Sequence, residues 1–249
     1  MIRNLSFLVF FIGIGQVLAQ DQILKIDYDL YINGFSISKM NSELFVTDEY
    51  SVFVWNDTIS KYEEEESLAD QIEFTLHFAD SIGTMNYYSK TKDSIISRSI
   101  GLEGIQIVKE KRTNIAWDLH PEVKNIGQFE CNKATCTFRG RDYVVWYTPD
   151  IPVFFGPWKL HGLPGLILEV MDKEGMFKAF FKKFSYDERD MSQYVNVYKT
   201  GKVLSIKEYA VKQRKLGDEL IKRMKLNLPR ELNISIDGMK QNHLERDFN

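Results

Sequence analysis

The chain has 249 residues, with 32 Lys or Arg and 35 Asp or Glu, so its formal net charge is −3. A charge so close to neutral gives no global reason to expect nucleic acid or an acidic bilayer as a partner. The length beyond a short leader suits one domain with a full hydrophobic core.

The first nineteen residues have the three parts of an export signal. Arg3 supplies a basic start, an apolar run extends from Leu5 to Ile14, and the small Ala19 offers a cleavage site. A bilayer span needs about 20 apolar residues, and this run and every later one are shorter. Cleavage after Ala19 would leave Gln20 first, which cannot take a lipid. We therefore expect an exported protein, periplasmic or secreted, with no transmembrane segment and no lipid anchor.

Residues 23–32 alternate between apolar and polar side chains, which is typical of a half-buried β-strand. Parallel strands would need crossover helices, and these are mostly missing, so we expect a mainly β protein with a large antiparallel sheet or barrel-like body. The further β-type runs are Glu43–Thr47, Ser51–Trp55, Glu73–Phe78, Met85–Ser89, Ser94–Ile100, Ile105–Val108, Asn114–Trp117, Thr135–Phe138, Tyr143–Tyr147, Leu166–Met171 and Met176–Phe184.

Few helices are expected. A short one is predicted from Ser60 to Gln71, and a long amphipathic one over about residues 205–226. Pro229 ends the long helix, and the polar tail after it is predicted to be loosely held. The stripe of the long helix is Ile206, Tyr209, Leu216, Leu220 and Met224. The resulting plan is a signal peptide at 1–19, a single β-rich domain at 20–228 and a polar tail at 229–249.

The chain has two cysteines, Cys131 and Cys136, which are five residues apart. An oxidising compartment would favour a disulfide between them, but residues five apart on a strand are about 17 Å apart, and a disulfide needs Cα atoms within about 7 Å. Pairing therefore requires a turn or bulge at Asn132-Lys133. The alternative is two separate thiols, one facing each side of a strand.

The most unusual stretch is residues 146–169, which holds four of the six prolines and two of the four tryptophans. Proline restricts its own backbone and that of the preceding residue, and the glycines permit angles closed to other residues, so this stretch should be a stiff, irregular connection. Pro164-Gly165 predicts a turn, and the apolar residues after it begin a buried strand.

The hexapeptide Gly162-Leu163-Pro164-Gly165-Leu166-Ile167 resembles the signature of the GLPGLI family of exported proteins from Gram-negative bacteria. Neighbouring segments are similar to the central block of that family in the same order. They are Lys133-Ala134, Phe138-Arg139-Gly140-Arg141, Tyr147-Thr148-Pro149-Asp150-Ile151-Pro152 and Gly156-Pro157-Trp158-Lys159. The resemblance accounts for Cys131, a position where the family often has cysteine, and leaves Cys136 as an addition.

This resemblance implies an exported protein of a family with no established enzymatic activity. The family is also similar to the bowl-shaped amino-terminal domain of a bacterial peptide-N-glycosidase. That similarity implies one large curved antiparallel sheet, a bowl or half-barrel, which serves as an accessory module.

The common signatures of hydrolases are absent from the sequence, including the nucleophile elbow and the zinc-binding helix. The histidines His77, His120, His161 and His243 are widely spaced, and lone histidines are more often structural than ligands. We therefore predict no catalytic residue, metal site or cofactor. Carboxylate pairs are too numerous for sequence alone to select two at a glycosidase's separation.

Binding is easier to motivate, because a stiff loop loses little entropy on docking and aromatic rings offer large contact areas. Trp146, Tyr147, Trp158 and Lys159 are the candidates for stacking on a sugar or extended peptide. Arg139, Arg141, Asp150 and His161 are the candidates for hydrogen bonds to it. We favour the alternative, in which the aromatic stretch is a plug that closes one end of the sheet's core.

Arg139 and Arg141 would place two guanidinium groups on one face of a strand, where they could clamp a carboxylate or phosphate. The alternative that we favour is structural pairing with Asp142, Glu130 or Asp118.

The sequence thus predicts a non-enzymatic exported binding or accessory protein of the cell envelope, with a peptide, glycan or apolar molecule as its ligand and an envelope partner. A hydrolase, or an accessory domain of one, acting on glycoconjugates or peptides is the first alternative. A lipid carrier is the second, and an interior filled by side chains would contradict it.

Overall fold

The computed structural model describes residues 22–33, 37–56, 80–101, 104–197, 201–227 and 245–247. Its elements are β1 (Ile23–Asn33), β2 (Ile37–Val46), β3 (Tyr50–Trp55), β4 (Thr84–Ser89), β5 (Ser94–Gly101), β6 (Gly104–Lys111), β7 (Asp118–Ile126), β8 (Phe129–Phe138), β9 (Arg141–Thr148), β10 (Leu166–Asp172), β11 (Phe177–Asp187), α1 (Ser192–Val195), β12 (Val203–Ser205) and α2 (Ile206–Asn227).

The strands form one open sheet of 12 strands in the order β12-β6-β5-β4-β3-β2-β1-β11-β10-β9-β8-β7. Neighbours pair antiparallel, except that β12 runs parallel to β6, so the sheet is mixed. Strands that follow one another along the chain are mostly neighbours in the sheet. β1 joins the two halves of the sheet, because it pairs with β2 on one side and with β11 on the other.

The sheet is strongly curved. From β6 to β9 the order passes through seven intervening strands, and in a flat sheet eight spacings of about 4.8 Å would separate them by about 38 Å. Yet Glu110 of β6 forms an ion pair with Arg139, which lies in the turn between β8 and β9. The two halves of the sheet therefore curl toward each other around a hollow, as the resemblance implied.

The hollow holds the main core. Alternation along β1 sends Ile26, Tyr28 and Leu30 into it, each fully buried, and this confirms the strand predicted at 23–32. The opposite face of β2 to β6 carries a second core around Phe45 and is covered by α1. Tyr194 of α1 stacks on Phe45, with 6.1 Å between ring centroids.

The two edges of the sheet differ. The edge strand β7 contains Pro121 and charged residues, and its register with β8 shifts between Leu119 and Val123. Proline, charge and a bulge on an edge all discourage pairing with another strand. At the other edge β12 has three residues, and α2 follows it directly and contacts β12 and β6.

Most of the predicted strands are present, and several are longer than predicted. One predicted strand, Asn114–Trp117, is irregular in the structure. Two strands, β7 and β12, were not predicted from the sequence. The predicted strand Glu73–Phe78, the predicted helix Ser60–Gln71 and the predicted signal peptide lie outside the described residues, as do the side chains of Leu220 and Met224.

Neither described helix combines the length and apolar character that a membrane span requires.

Candidate functional site

Residues 149–165, which connect β9 to β10, cross the hollow, and we call them the plug segment. Its chain folds back on itself, with Phe155 bridged to His161 and the amide of Gly156 donating to the carbonyl of Leu160 at 2.9 Å. The plug segment buries Phe155, Trp158, Leu160 and Leu163 against the concave face. The favoured interpretation of this stretch, a plug in the core of the sheet, agrees with these positions.

Trp158 occupies the centre of that packing and is only 5% exposed. Its ring lies between 5.6 and 6.0 Å from those of Phe138, Tyr143 and Phe177. Its backbone has φ +59°, an angle that few residues other than glycine adopt. The structure therefore places Trp158 in the core, where nearly all of its surface is buried, and not at an open face as the predicted stacking platform would require.

The space left in the hollow is small. Beside the plug segment the structure leaves a cavity of about 10 Å³, between Asn86 and Tyr88 of β4 and His161. A drug-sized ligand needs several hundred cubic ångströms. Beside the plug segment the described part of the hollow is thus filled by side chains, and this leaves no room there for the apolar ligand of a lipid carrier.

The GLPGLI hexapeptide anchors the plug segment to the sheet. Leu163, Leu166 and Ile167 are buried, while Gly162 and Pro164 lie at the surface. The carbonyl of Ile167 accepts a 2.7 Å hydrogen bond from the hydroxyl of Tyr28 on β1. The motif therefore has a packing role, in line with its treatment as a structural motif.

Lys159 lies inside the hollow in a group of four charged side chains, which we call the inner charge cluster: Glu110, Arg139, Lys159 and Glu245. The carboxylate of Glu110 pairs with both Lys159 and Arg139, and Glu245 accepts from the ammonium of Lys159 at 2.5 Å. Burial alone would lower the pKa of Lys159, but the charges of Glu245 and Glu110 raise it above its usual value. Lys159 therefore stays charged within the cluster.

Arg141 belongs to a second ion-pair group. It donates to Asp172 at 2.9 Å and to Glu174 at 3.1 Å, and Glu174 in turn pairs with Arg246. Arg139 and Arg141 are both buried. Both arginines therefore form ion pairs within the fold, with Glu110, Asp172 and Glu174 from other strands and turns, whereas the sequence suggested Asp142, Glu130 and Asp118.

His161 is buried and its Nδ1 donates to the carbonyl of Lys159 at 2.8 Å. Its own carbonyl accepts from the indole of Trp117 at 2.9 Å. Burial lowers the pKa of His161, and the nearby positive charge of Arg112 acts in the same direction. This histidine is therefore a neutral structural residue, which ties the plug segment to the irregular stretch before β7.

The remaining predicted contacts do not converge. Tyr147 is buried, Trp146 is half-buried with the ammonium of Lys124 4.6 Å above its ring, and Asp150 is exposed. Of the eight predicted ligand contacts, only Trp146 and Asp150 reach the surface. The structure thus brings most of the predicted residues together as core, not as an open binding site.

Cys131 and Cys136 are both buried free thiols on β8. The strand continues through Asn132 and Lys133 and pairs in register with β9 from Asn132 onward, without the turn that a disulfide would need. Burial raises the pKa of Cys131 to about 11 and that of Cys136 to about 12. In this structure they are two separate thiols, and the raised pKa values disfavour the reactive thiolate form of each at neutral pH.

Several residues of the site escaped the sequence analysis, above all Glu110, Asp172, Glu245 and Arg246. Each is an ordinary charged residue in sequence, and only the fold makes it an ion-pair partner, buried in the case of Glu110 and Asp172. Among the described side chains, no three His, Cys, Asp or Glu groups are placed to hold a metal ion.

This geometry defines a class: open, curved β-sheet proteins whose hollow is filled by a proline- and glycine-rich segment. Residues 139–169, which contain the Arg139 turn, the plug segment and the GLPGLI motif, match the model of a family described as a protein of unknown function, Porph_ging. No curated protein matches the chain.

Among solved structures, the chain is similar to PNGF-II, a PNGase F, in two crystal forms. In the C2 form the TM-score is 0.50 with 15% identity, and the match covers 74% of this chain and 31% of PNGF-II. In the P21 form the TM-score is 0.49 with the same identity and coverage. At this identity the likeness concerns the fold alone, and the chain corresponds to less than a third of PNGF-II. Both parts of the resemblance drawn from the sequence are thereby supported.

Proposed function

We propose that this protein is a non-enzymatic binding or accessory module of the bacterial envelope, exported to the periplasm or beyond, which recognises a peptide or glycan through exposed side chains of its sheet. The observation that carries this proposal is the filled hollow. Catalytic clefts are concave and accessible to substrate, whereas here the plug segment occupies the concavity and the charges within it pair with one another.

A group of aromatic side chains near the end of β11 is the best-suited contact area. It consists of the exposed Phe184 and Tyr186 and the partly exposed Phe181, with the buried Phe129 of β8 in contact with Phe181 and Phe184, and we call it the β11 aromatic cluster. Phe184 is 38% exposed and Tyr186 is 65% exposed. Phe129 lies 5.9 Å from both Phe181 and Phe184, between ring centroids. Rings held in this way keep their orientation and lose little entropy on contact with a ligand.

The test uses an N-glycopeptide and the same peptide without its glycan, each labelled for fluorescence anisotropy. We expect one of the two to bind the wild-type protein and to be recovered with its mass unchanged. Tyr186→Ala should weaken that binding at least tenfold, because the residue is exposed and contributes little to the core. Leu119→Ala, at an equally exposed position on β7 (61%), is the matched control and should leave binding unchanged.

A hydrolase acting on glycoconjugates or peptides is the competing function. Mass spectrometry of the recovered probe separates the two, because release of the glycan or cleavage of the peptide by the purified protein would contradict a non-enzymatic role. Absence of binding to both probes would contradict recognition of this ligand class.

A further inference from the structure

Glu245 lies in the predicted polar tail, yet its carboxylate is inside the molecule. Its side chain is 13% exposed and accepts from the ammonium of Lys159, which is itself almost wholly buried. The other oxygen of Glu245 lies 3.9 Å from Nε of Arg139. A residue far from the plug segment in sequence thus completes the inner charge cluster.

Charge balance explains why a carboxylate is held there. Within the cluster two cations, Lys159 and Arg139, face two carboxylates, Glu110 and Glu245, and Glu110 is shared between both cations. A buried ammonium that loses one of its two carboxylates is undercompensated, which is costly in a medium of low polarity. The position of Glu245 is therefore a site with affinity for a carboxylate.

The backbone is also shaped for a docked segment. The amides of Arg246 and Asp247 both donate to the carbonyl of Arg139, at 2.9 and 3.3 Å. A side chain at Gly140 would place its Cβ 2.9 Å from the Cβ of Arg246 and 3.2 Å from the amide nitrogen of Asp247. Arg246 pairs with Glu174. The carbonyl of Arg139, which accepts from both amides, the two cations Lys159 and Arg139, and the space at Gly140 together form a seat for an acidic chain segment.

We propose that Lys159 and the Arg139-Gly140 turn form a binding site for a carboxylate-bearing peptide segment, which the protein's own residues Glu245–Asp247 occupy. An acidic segment of a partner binds by displacing them, so the tail acts as an internal competitor. This inference rests on the proposed binding function for the existence of an external partner, but the site itself can be tested alone.

The test uses the full-length protein and a fluorescent peptide with the sequence of residues 243–249. In the wild type the tethered tail competes at an effective concentration of about millimolar, so the peptide should bind weakly. In a release variant that combines Glu245→Ala with Arg246→Ala, the peptide should bind at least tenfold more tightly. A peptide with Gln in place of the glutamate should lose at least tenfold of that affinity.

Two glycine variants on the release background show whether the peptide uses the same seat. Gly140→Ala should abolish the gain, since its Cβ meets the docked segment. Gly127→Ala is the matched control, because it also sits at positive φ in a turn but its Cβ would meet nothing within 4 Å. Equal binding of the Glu and Gln peptides, or equal binding to wild type and release variant, would overturn the proposal.

The outcomes also separate this inference from the proposed function. A tail peptide that behaves as expected while neither the glycopeptide nor the bare peptide binds would leave the site standing and refute the broader function. If the glycopeptide or the bare peptide binds, but the tail peptide binds the release variant no more tightly than the wild type, the proposed function stands and the carboxylate site is refuted.

Discussion

A charged lysine inside a protein survives only where carboxylates compensate it, and Lys159 has two. Lys159→Met would remove the ammonium and leave Glu110 and Glu245 close together in a buried site. We expect the free energy of unfolding to fall by about 3–5 kcal/mol, measured by urea denaturation at neutral pH. Lys133→Met removes a solvent-exposed pair with Glu122 and should change stability little. Equal effects of the two substitutions would contradict a buried role for Lys159.

The thiols Cys131 and Cys136 carry a second prediction, about pH. Their folded-state pKa values, about 11 and about 12, lie above the value of about 8.5 for an unfolded thiol. Because the folded protein holds these thiols in the protonated form more strongly than the unfolded chain does, their contribution to stability is complete at a pH below the unfolded pKa. This contribution is lost as the pH rises from the unfolded pKa toward the folded pKa. We therefore expect lower stability at pH 9.5 than at pH 7.5 in urea denaturation.

The variant with both Cys131→Ala and Cys136→Ala serves as the control, since it should lose less stability between the two pH values. Alkylation gives an independent readout. Both thiols should react slowly in the folded protein at pH 8 and rapidly in urea, and fast reaction of either in the folded state would argue against its burial.

At the scale of elements, the junction between β9, the plug segment and β10 depends on Gly165. A Cβ at this position would lie 2.6 Å from the carbonyl carbon of Thr148 and 2.9 Å from the nitrogen of Pro149. Both are backbone atoms at the end of β9, and they cannot move without breaking the register of β9 with β10. Gly165→Ala should therefore destabilise the fold by at least about 3 kcal/mol, measured as a shift in the urea midpoint.

Pro164→Ala, one residue earlier and exposed, is the matched control and should have a small effect. If the two substitutions were equally tolerated, the close approach of Gly165 to Thr148 would not exist in solution.

The same element scale shows why local sequence reasoning succeeded for some strands and failed for others. β1 was predictable because one face is buried and the other is half-exposed, which produces strict alternation. β7 was not, because most of its residues are exposed and it includes Pro121. Its strand conformation comes from pairing with β8, an interaction between segments that no local pattern records.

At the scale of the whole molecule, the plug segment joins the two halves of the sheet. Phe155 contacts Tyr88 of β4, with 4.8 Å between ring centroids, while Trp158 packs on Tyr143 of β9. Because these contacts share one core, the halves should not unfold separately. We expect tryptophan fluorescence and far-ultraviolet circular dichroism to report one coincident thermal transition.

Trp158→Phe provides the control, since it removes one fluorescent reporter from the plug segment but keeps an aromatic ring there. Coincidence of the two probes should persist in this variant at a lower midpoint. A fluorescence transition that precedes the loss of sheet signal would show that the plug segment leaves the hollow before the sheet unfolds.

The sequence by itself determined the mainly β class, the strands with one buried face, and the stiff segment around Gly162–Ile167, because alternation and proline or glycine chemistry act over a few residues. Only the tertiary structure decided that Trp158 and Lys159 point inward, which carboxylates pair with the arginines, and that Glu245 completes the cluster. Those outcomes depend on curvature summed over many strands, which brings Glu110 to Arg139. Ion-pair partners distant in sequence leave no local periodic signal, so their identity emerges only when the sheet closes around the plug segment.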